Sequence, residues 1–211
     1  MRIETFPVGP LACNCSVLVD EVSHAAVVID PGGDFGGIRA RVEQAGANVV
    51  AILHTHTHID HVGATAELKR WTQAPARIHE ADRSLYDLVP VQGELLGLPA
   101  PQRCELDGDL TDDLVLYAGS IEIAVLHTPG HTPGSVSFVV RGDDAPIAFT
   151  GDTLFRRSIG RTDLWGGDGR AIVRSIRNRL FTLDEATRVV AGHGAPSTIG
   201  EERAMNPFLR A

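Results

Sequence analysis

At 211 residues, with 43% hydrophobic and 22% charged content, the chain has room for one well-buried domain over residues 1–211 and is short for two. Its net charge of −8, from 19 basic against 27 acidic residues, argues against a broad electrostatic nucleic-acid surface. No stretch approaches the roughly 20 apolar residues of a membrane span, and Met1 to Phe6 carry no signal-peptide core, so the sequence reads as cytoplasmic with no membrane partner.

The first strands are expected at residues 2–6, 16–20 and 25–29, the last ended by the turn residues Asp30-Pro31-Gly32-Gly33. Asp34 then caps a helix that runs to about Ala45, with Gly46 as its stop. The apolar run 49–53 predicts a buried strand, and good helix formers over 65–71 predict a helix. Residues 84–104, interrupted by Pro90, Pro99 and Pro101, give the weakest pattern, a helix with surrounding loops. Strand signals resume at 114–117, 121–126, 135–140 and 146–150. A helix follows over 168–180, with Ala171, Val173, Ile176 and Leu180 as its apolar positions, and then a short strand at 188–191. This order suits two packed sheets flanked by helices, an αββα sandwich of the α/β (α+β) class.

Where the strand at 49–53 ends, His56-Thr57-His58-Ile59-Asp60-His61 packs four ligand-type side chains into six residues. His-x-His on an extended segment sends both imidazoles the same way. Asp60 and His61 come after the backbone has begun to turn and address a second point, which suggests two metal ions. Clustered imidazoles repel when protonated, and a shared cation removes the repulsion. Later strands each end in a further candidate. His131 lies between the Pro129-Gly130 and Pro133-Gly134 turns, Asp152 directly follows an apolar strand, and His193 is flanked by Gly192 and Gly194. Three His with one Asp, and two His with two Asp, complete two shells if one Asp is shared, a donor set that suits zinc and leaves room for water. Cys13, Cys15 and Cys104 form no CxxC pair. The first two fall on one side of a strand-like segment and read as buried structural thiols.

Together these motifs resemble the metallo-β-lactamase superfamily, whose HxHxDH mark is followed by a later His, an Asp and a final His. The resemblance implies one metal on His56, His58 and His131, a second on Asp60, His61 and His193, and Asp152 bridging them. Zinc is the expected metal, with iron or manganese as alternatives. Residues 128–135, Gly160-Arg161-Thr162-Asp163, Gly192-His193-Gly194 and the closing 200–203 and 206–208 are similar to short-form glyoxalase II-like hydrolases, also called hydroxyacylglutathione hydrolases. The implied activity is hydrolysis of S-(2-hydroxyacyl)glutathione or a related small acyl-thiol by a metal-bridging hydroxide that Asp60 orients. A thiolate leaves without a strong general acid, and none is visible in the sequence. Arg161 is expected either to bind a substrate carboxylate or to pair with Asp163. The alternatives are a persulfide dioxygenase with a single iron and a similar Gly-Arg-Thr-Asp segment, or a lactonase or β-lactamase of the same superfamily. His54 stands where relatives carry an apolar or small residue and reads as a packed histidine, and His24, His79 and His127 read as structural. Long glyoxalase II enzymes continue into a helical domain bearing glutathione-binding basic residues, so the short form leaves the carrier thiol open.

Overall fold

Two six-stranded sheets face one another in the computed structural model, which describes residues 1–142 and 144–210. The first sheet runs in chain order: β1 (Arg2–Val8), β2 (Cys13–Val19), β3 (Ala25–Ile29), β4 (Asn48–Leu53), β5 (Ala76–Ile78) and β6 (Gly108–Asp109). Its first three strands form an antiparallel meander, and β3 to β6 pair in parallel. Parallel neighbours need crossovers. Helix α1 (Phe35–Gln44) joins β3 to β4, and the one-turn α2 (Ile59–Val62) with α3 (Thr65–Thr72) joins β4 to β5.

The second sheet contains β7 (Val115–Ala118), β8 (Ile121–His127), β9 (Val136–Val140), β10 (Ile147–Gly151), β13 (Arg188–Ala191) and β14 (Ser197–Thr198). In it β7 to β10 are antiparallel neighbours, and β13 joins β10 in parallel. A hairpin of β11 (Leu154–Phe155) and β12 (Ser158–Ile159) stands apart from both sheets.

Period-two alternation sorts the side chains into layers. Leu18, Val27, Ile29 and Leu53 of the first sheet meet Ile123, Val125, Phe138 and Phe149 of the second between the sheets. Their strand neighbours Val17, Val19, Val28 and Ile52 turn the other way, against Ile38 and Val42 of α1 and Leu68 of α3. On the far side, Val189 packs with Ile172 and Ile176 and with Ile199 of α7 (Ile199–Met205). The four layers are the expected αββα sandwich. Among the described residues no helix is long and apolar enough to cross a membrane.

The differences from the sequence reading are local. Strand β2 begins at Cys13, so both buried thiols belong to the sheet. The weak stretch 84–104 holds two helices, α4 (Arg83–Asp87) and α5 (Val89–Leu96), because proline is tolerated in the first turn of a helix. The expected helix at 168–180 is α6 (Gly169–Ser175), capped by Asp168 and continuing as a π-helical turn over Ile176–Leu180. The short strands β5, β6 and β14 carry no periodicity to detect.

Candidate metal centre

Seven polar side chains converge where β4, β8, β10 and β13 end. His56 and His58 come from the loop after β4, Asp60 and His61 from α2, His131 from the β8–β9 turn, Asp152 from the end of β10 and His193 from the end of β13. They form two groups. In the first, His58 Nδ1 lies 3.1 Å from His56 Nε2 and 2.9 Å from His131 Nε2, three ring nitrogens aimed at one point. In the second, His193 Nε2 lies 3.0 Å from Asp60 Oδ2, and His61 Nε2 lies 3.8 Å from the same oxygen. Asp152 reaches both groups, with Oδ1 3.5 Å from His61 Nε2 and Oδ2 3.6 Å from His131 Nε2.

Other residues aim these rings from behind. His61 Nδ1 lies 2.9 Å from Asp30 Oδ2, and His131 Nδ1 lies 2.8 Å from the Arg161 carbonyl oxygen. Donating Nδ1–H outward leaves the Nε2 lone pair facing inward, the tautomer a metal ligand needs. Asp30 also accepts from the Thr55 amide at 2.7 Å and from its hydroxyl at 2.6 Å, both buried. Asp82, completely buried, accepts from Thr57 N at 3.1 Å, Thr132 Oγ1 at 2.8 Å and Gly134 N at 2.6 Å. It thereby ties the 56–61 loop to the loop carrying His131. The Gln92 side chain accepts from Ile59 N at 2.9 Å and steadies the start of α2.

The two groups differ electrostatically. Burial, reinforced by neighbouring imidazoles, pushes His56 well below the ordinary histidine range and His58 down to about 3. Burial also lowers His131, against Asp152 and the Arg161 carbonyl. All three shifts favour the neutral ring. Burial pulls His61 down too, but Cys13, Asp30, Asp60 and Asp152 around it more than offset that and hold it well above the ordinary range. The Asp60 hydrogen bond raises His193 against its burial. Burial opposes ionisation of Asp60 and Asp152, yet the facing histidines, His61 foremost, hold both below the usual carboxylate range.

Whether this donor set fits metal ions can be tested on its unsatisfied atoms. His61 Nε2 and Asp152 Oδ1 are buried, face one another and have no hydrogen-bond partner. Orphaned buried polar atoms are rare in folded proteins, and a cation between them would satisfy both. The backbone leaves the space: a Cβ on Gly192 would run into Asp152 Oδ1 and lie 2.7 Å from His61 Cε1. Nitrogen and carboxylate oxygen donors in this number fit zinc or another first-row divalent ion.

The remaining sequence candidates are not among the seven converging side chains. His54 is fully buried, with Nδ1 3.0 Å from the Arg77 carbonyl and Nε2 2.7 Å from Thr65 Oγ1, so both ring nitrogens are occupied elsewhere. His79 and His127 stack on one another with centroids 4.0 Å apart. The Cys13 side chain comes nearest to those seven: its Sγ lies 3.6 Å from His61 Nδ1 and within 4.8 Å of ring nitrogens of His61 and His193, and burial pushes its thiol up to about 12, which favours the protonated form. The Arg161 side chain pairs bidentately with Asp163 at 2.8 and 2.9 Å. Asp30, Asp82 and Gln92 escaped the sequence reading. Asp30 looks like a turn residue and Asp82 and Gln92 like surface helix residues, and only burial exposes their role.

The centre opens into a cavity of about 540 Å³. His58, Asp60, His131 and Asp152 line its floor, and Leu11, Ile59, Leu95, Leu96, Leu164 and Trp165 its walls.

Comparison with known proteins gives the same family at every level. A family model described as the metallo-beta-lactamase superfamily matches residues 8–193. The chain is 38% identical to hydroxyacylglutathione hydrolase GloC of Haemophilus influenzae, covering 100% of this chain and 99% of the relative. Among solved structures, the BLEG-1 B3 metallo-beta-lactamase matches with a TM-score of 0.91 and 37% identity, covering 100% of both chains. TTHA1623 in a di-iron-bound form matches with a TM-score of 0.88 and 37% identity, covering 98% of this chain and 100% of the other.

Proposed function

Because the chain belongs to the metallo-beta-lactamase superfamily and is a metal-dependent hydrolase of it, we propose that it is a binuclear thioester hydrolase of the glyoxalase II type. Its substrate class is S-(2-hydroxyacyl)glutathione or a related acyl-thiol. The observation that carries this reading is the unpartnered pair His61 Nε2 and Asp152 Oδ1, buried where the two donor groups meet. His56, His58 and His131 would hold one ion, Asp60, His61 and His193 the other, and Asp152 would reach both. Zinc is the first choice of metal; iron and manganese use the same donors, and the di-iron form of the similar structure supports keeping iron in view.

When bound, divalent ions acidify water from a pKa of about 15.7 to about 7 and polarise a carbonyl. The chain's own residues do the rest. Asp60, on the cavity floor, accepts a hydrogen bond from the attacking water and fixes its direction. Asp30 and the Arg161 carbonyl hold His61 and His131 in the ligating tautomer. The apolar walls exclude bulk water and strengthen every charge interaction at the floor. Among the described residues lining the cavity there is no Tyr, Lys, Ser or Cys, and the one Arg is paired with Asp163. A leaving group that departs without protonation suits this site, and a thiolate is such a group. The likeness to the hydroxyacylglutathione hydrolase supports the same class.

A second reading, hydrolysis of a β-lactam, is favoured by the full-length likeness to the B3 metallo-beta-lactamase structure. Metal analysis should return close to two ions per chain, and the loaded protein should hydrolyse S-lactoylglutathione or a simple acyl thioester. One iron per chain with oxygen uptake on a persulfide overturns the proposal. Turnover of a β-lactam with thioesters untouched replaces it by the second reading.

A further inference from the structure

The cavity walls say more about the substrate than the metal floor does. Leu95 and Leu96 at the end of α5 are 69% and 55% exposed, and Trp165 across the mouth is 51% exposed. A solvent-facing helix surface is ordinarily polar. Here Leu11, Ile59 and Leu164 continue the apolar surface down to Asp60 and His58. A second cavity of about 350 Å³ shares Leu11, Ile59 and Asp60 with the first and is lined further by Leu98, Pro99 and Ala100. The apolar lining therefore extends beyond the first cavity.

Charge gives an independent reason. Among the described residues lining both cavities, Arg161 is the sole Lys or Arg. Its guanidinium donates through Nε and Nη2 to Asp163, so a substrate carboxylate meets an ion pair already close to neutral rather than an unshared cation. The other charged groups on the walls and floor are Asp60, Asp152, Asp163 and, in the second cavity, Asp34. A glutathione carrier bears two carboxylates, and placing one against an apolar wall with no partner is strongly unfavourable. An apolar chain gains by leaving water there.

We infer that this site takes thioesters with an apolar acyl chain on an uncharged carrier in preference to glutathione thioesters. The inference rests on the proposed thioesterase reading and narrows it. The apolar acyl chain lies along the leucines and Trp165, and its carbonyl reaches the floor at Asp60 and His58. Water adds to the thioester carbonyl, the C–S bond breaks, and the products are the carboxylic acid and the free thiol.

The test uses the metal-loaded protein and four substrates: acetyl- and hexanoyl-N-acetylcysteamine, S-hexanoylglutathione and S-lactoylglutathione. A fully buried methylene is worth about fourfold in binding, so hexanoyl should exceed acetyl in kcat/KM by at least about tenfold even with the mouth half open. Hexanoyl-N-acetylcysteamine should exceed S-hexanoylglutathione by a similar factor. A non-hydrolysable thioether, S-hexyl-N-acetylcysteamine, should bind with a negative heat-capacity change by calorimetry. L95D/L96D should reduce hexanoyl turnover at least about fivefold more than acetyl turnover. L95A/L96A, which introduces no charge, should act in the same direction but less. Preference for S-lactoylglutathione, or indifference to chain length, overturns the inference while leaving the thioesterase intact. Failure on all four substrates with two ions bound overturns the thioesterase reading itself. Self-association that L95D/L96D abolishes, with no chain-length dependence, assigns the leucines to a second copy of the chain and also overturns the inference.

Discussion

Replacing Asp30 by asparagine separates an orienting carboxylate from a merely structural one. Asp30 is 2% exposed and sits at φ 51°, a left-handed conformation that asparagine tolerates as well as aspartate, so the backbone can stay in place. Its Oδ1 accepts the Thr55 amide at 2.7 Å, and its Oδ2 accepts the Thr55 hydroxyl at 2.6 Å and faces His61 Nδ1 at 2.9 Å. In D30N one oxygen becomes an NH₂. If the remaining oxygen stays on the Thr55 amide, the NH₂ faces His61 Nδ1 and can only donate to it. The neutral ring must then carry its proton on Nε2, the atom 3.5 Å from Asp152 Oδ1, where a ligand needs a lone pair. Flipping the amide instead sets donor against donor at Thr55. His56 Nδ1, 3.2 Å from the Thr55 hydroxyl, carries the ring proton while Nε2 faces the three-histidine group, so it cannot accept, and in either orientation one buried Thr55 donor is left unsatisfied, a loss of about 1–3 kcal/mol of stability. Removing the partner that orients a histidine ligand typically lowers metal affinity about 10–100-fold. Calorimetric titration of the metal-stripped variant against a competing chelator should show that loss for the second ion and leave the first within about twofold. Urea unfolding of the same sample measures the stability change. Undiminished affinity for both ions, with stability reduced as calculated, would refute the orienting role.

Other expectations follow from the same geometry. His58 is held at about 3 and His56 and His131 are lowered, whereas His61 and His193 are raised. The three-histidine group is therefore ready for metal at mildly acid pH, while the other must shed protons, and its affinity falls as pH drops. Calorimetry near neutral pH in two buffers of different ionisation enthalpy should place proton release mainly with one ion; equal release for both would count against the assignment. G192A drives a methyl group into Asp152 Oδ1, so metal analysis should show the second ion weakened by about tenfold or more. D82A removes the acceptor of two backbone amides, Thr57 and Gly134, while Thr132 keeps Ser135 Oγ at 2.8 Å. At about 1–3 kcal/mol per orphaned donor, urea unfolding should show a loss of about 2–6 kcal/mol.

The seven converging side chains were legible because each follows a strand or sits between turn-forming residues, and sequence records both signals locally. The four layers were legible for a similar reason: unbroken apolar runs such as 25–29 and 49–53, with side chains buried toward both faces of the sheet, stand out from their surroundings. The short strands β5, β6 and β14, of two or three residues each, are defined by pairing with their neighbours and hold no pattern of their own. Helix α7 did carry a local signal, the capping box of Thr198 and Glu201, which the structure forms in full. The charged and polar residues that aim the ligands are a different case. Asp30 acts on Thr55 and His61, 25 and 31 positions away, and Asp82 on Thr132 and Gly134, 50 and 52 away. A carboxylate in a turn or at a helix start satisfies a local rule there, so nothing in the sequence marks that it serves a distant loop instead. Burial is what distinguishes them: an ionisable group enters the interior only where enough donors meet it. The donors that Asp30 and Asp82 collect lie on or beside the loops bearing His56, His61 and His131, so the folding of those loops and the aiming of their ligands are one and the same set of hydrogen bonds.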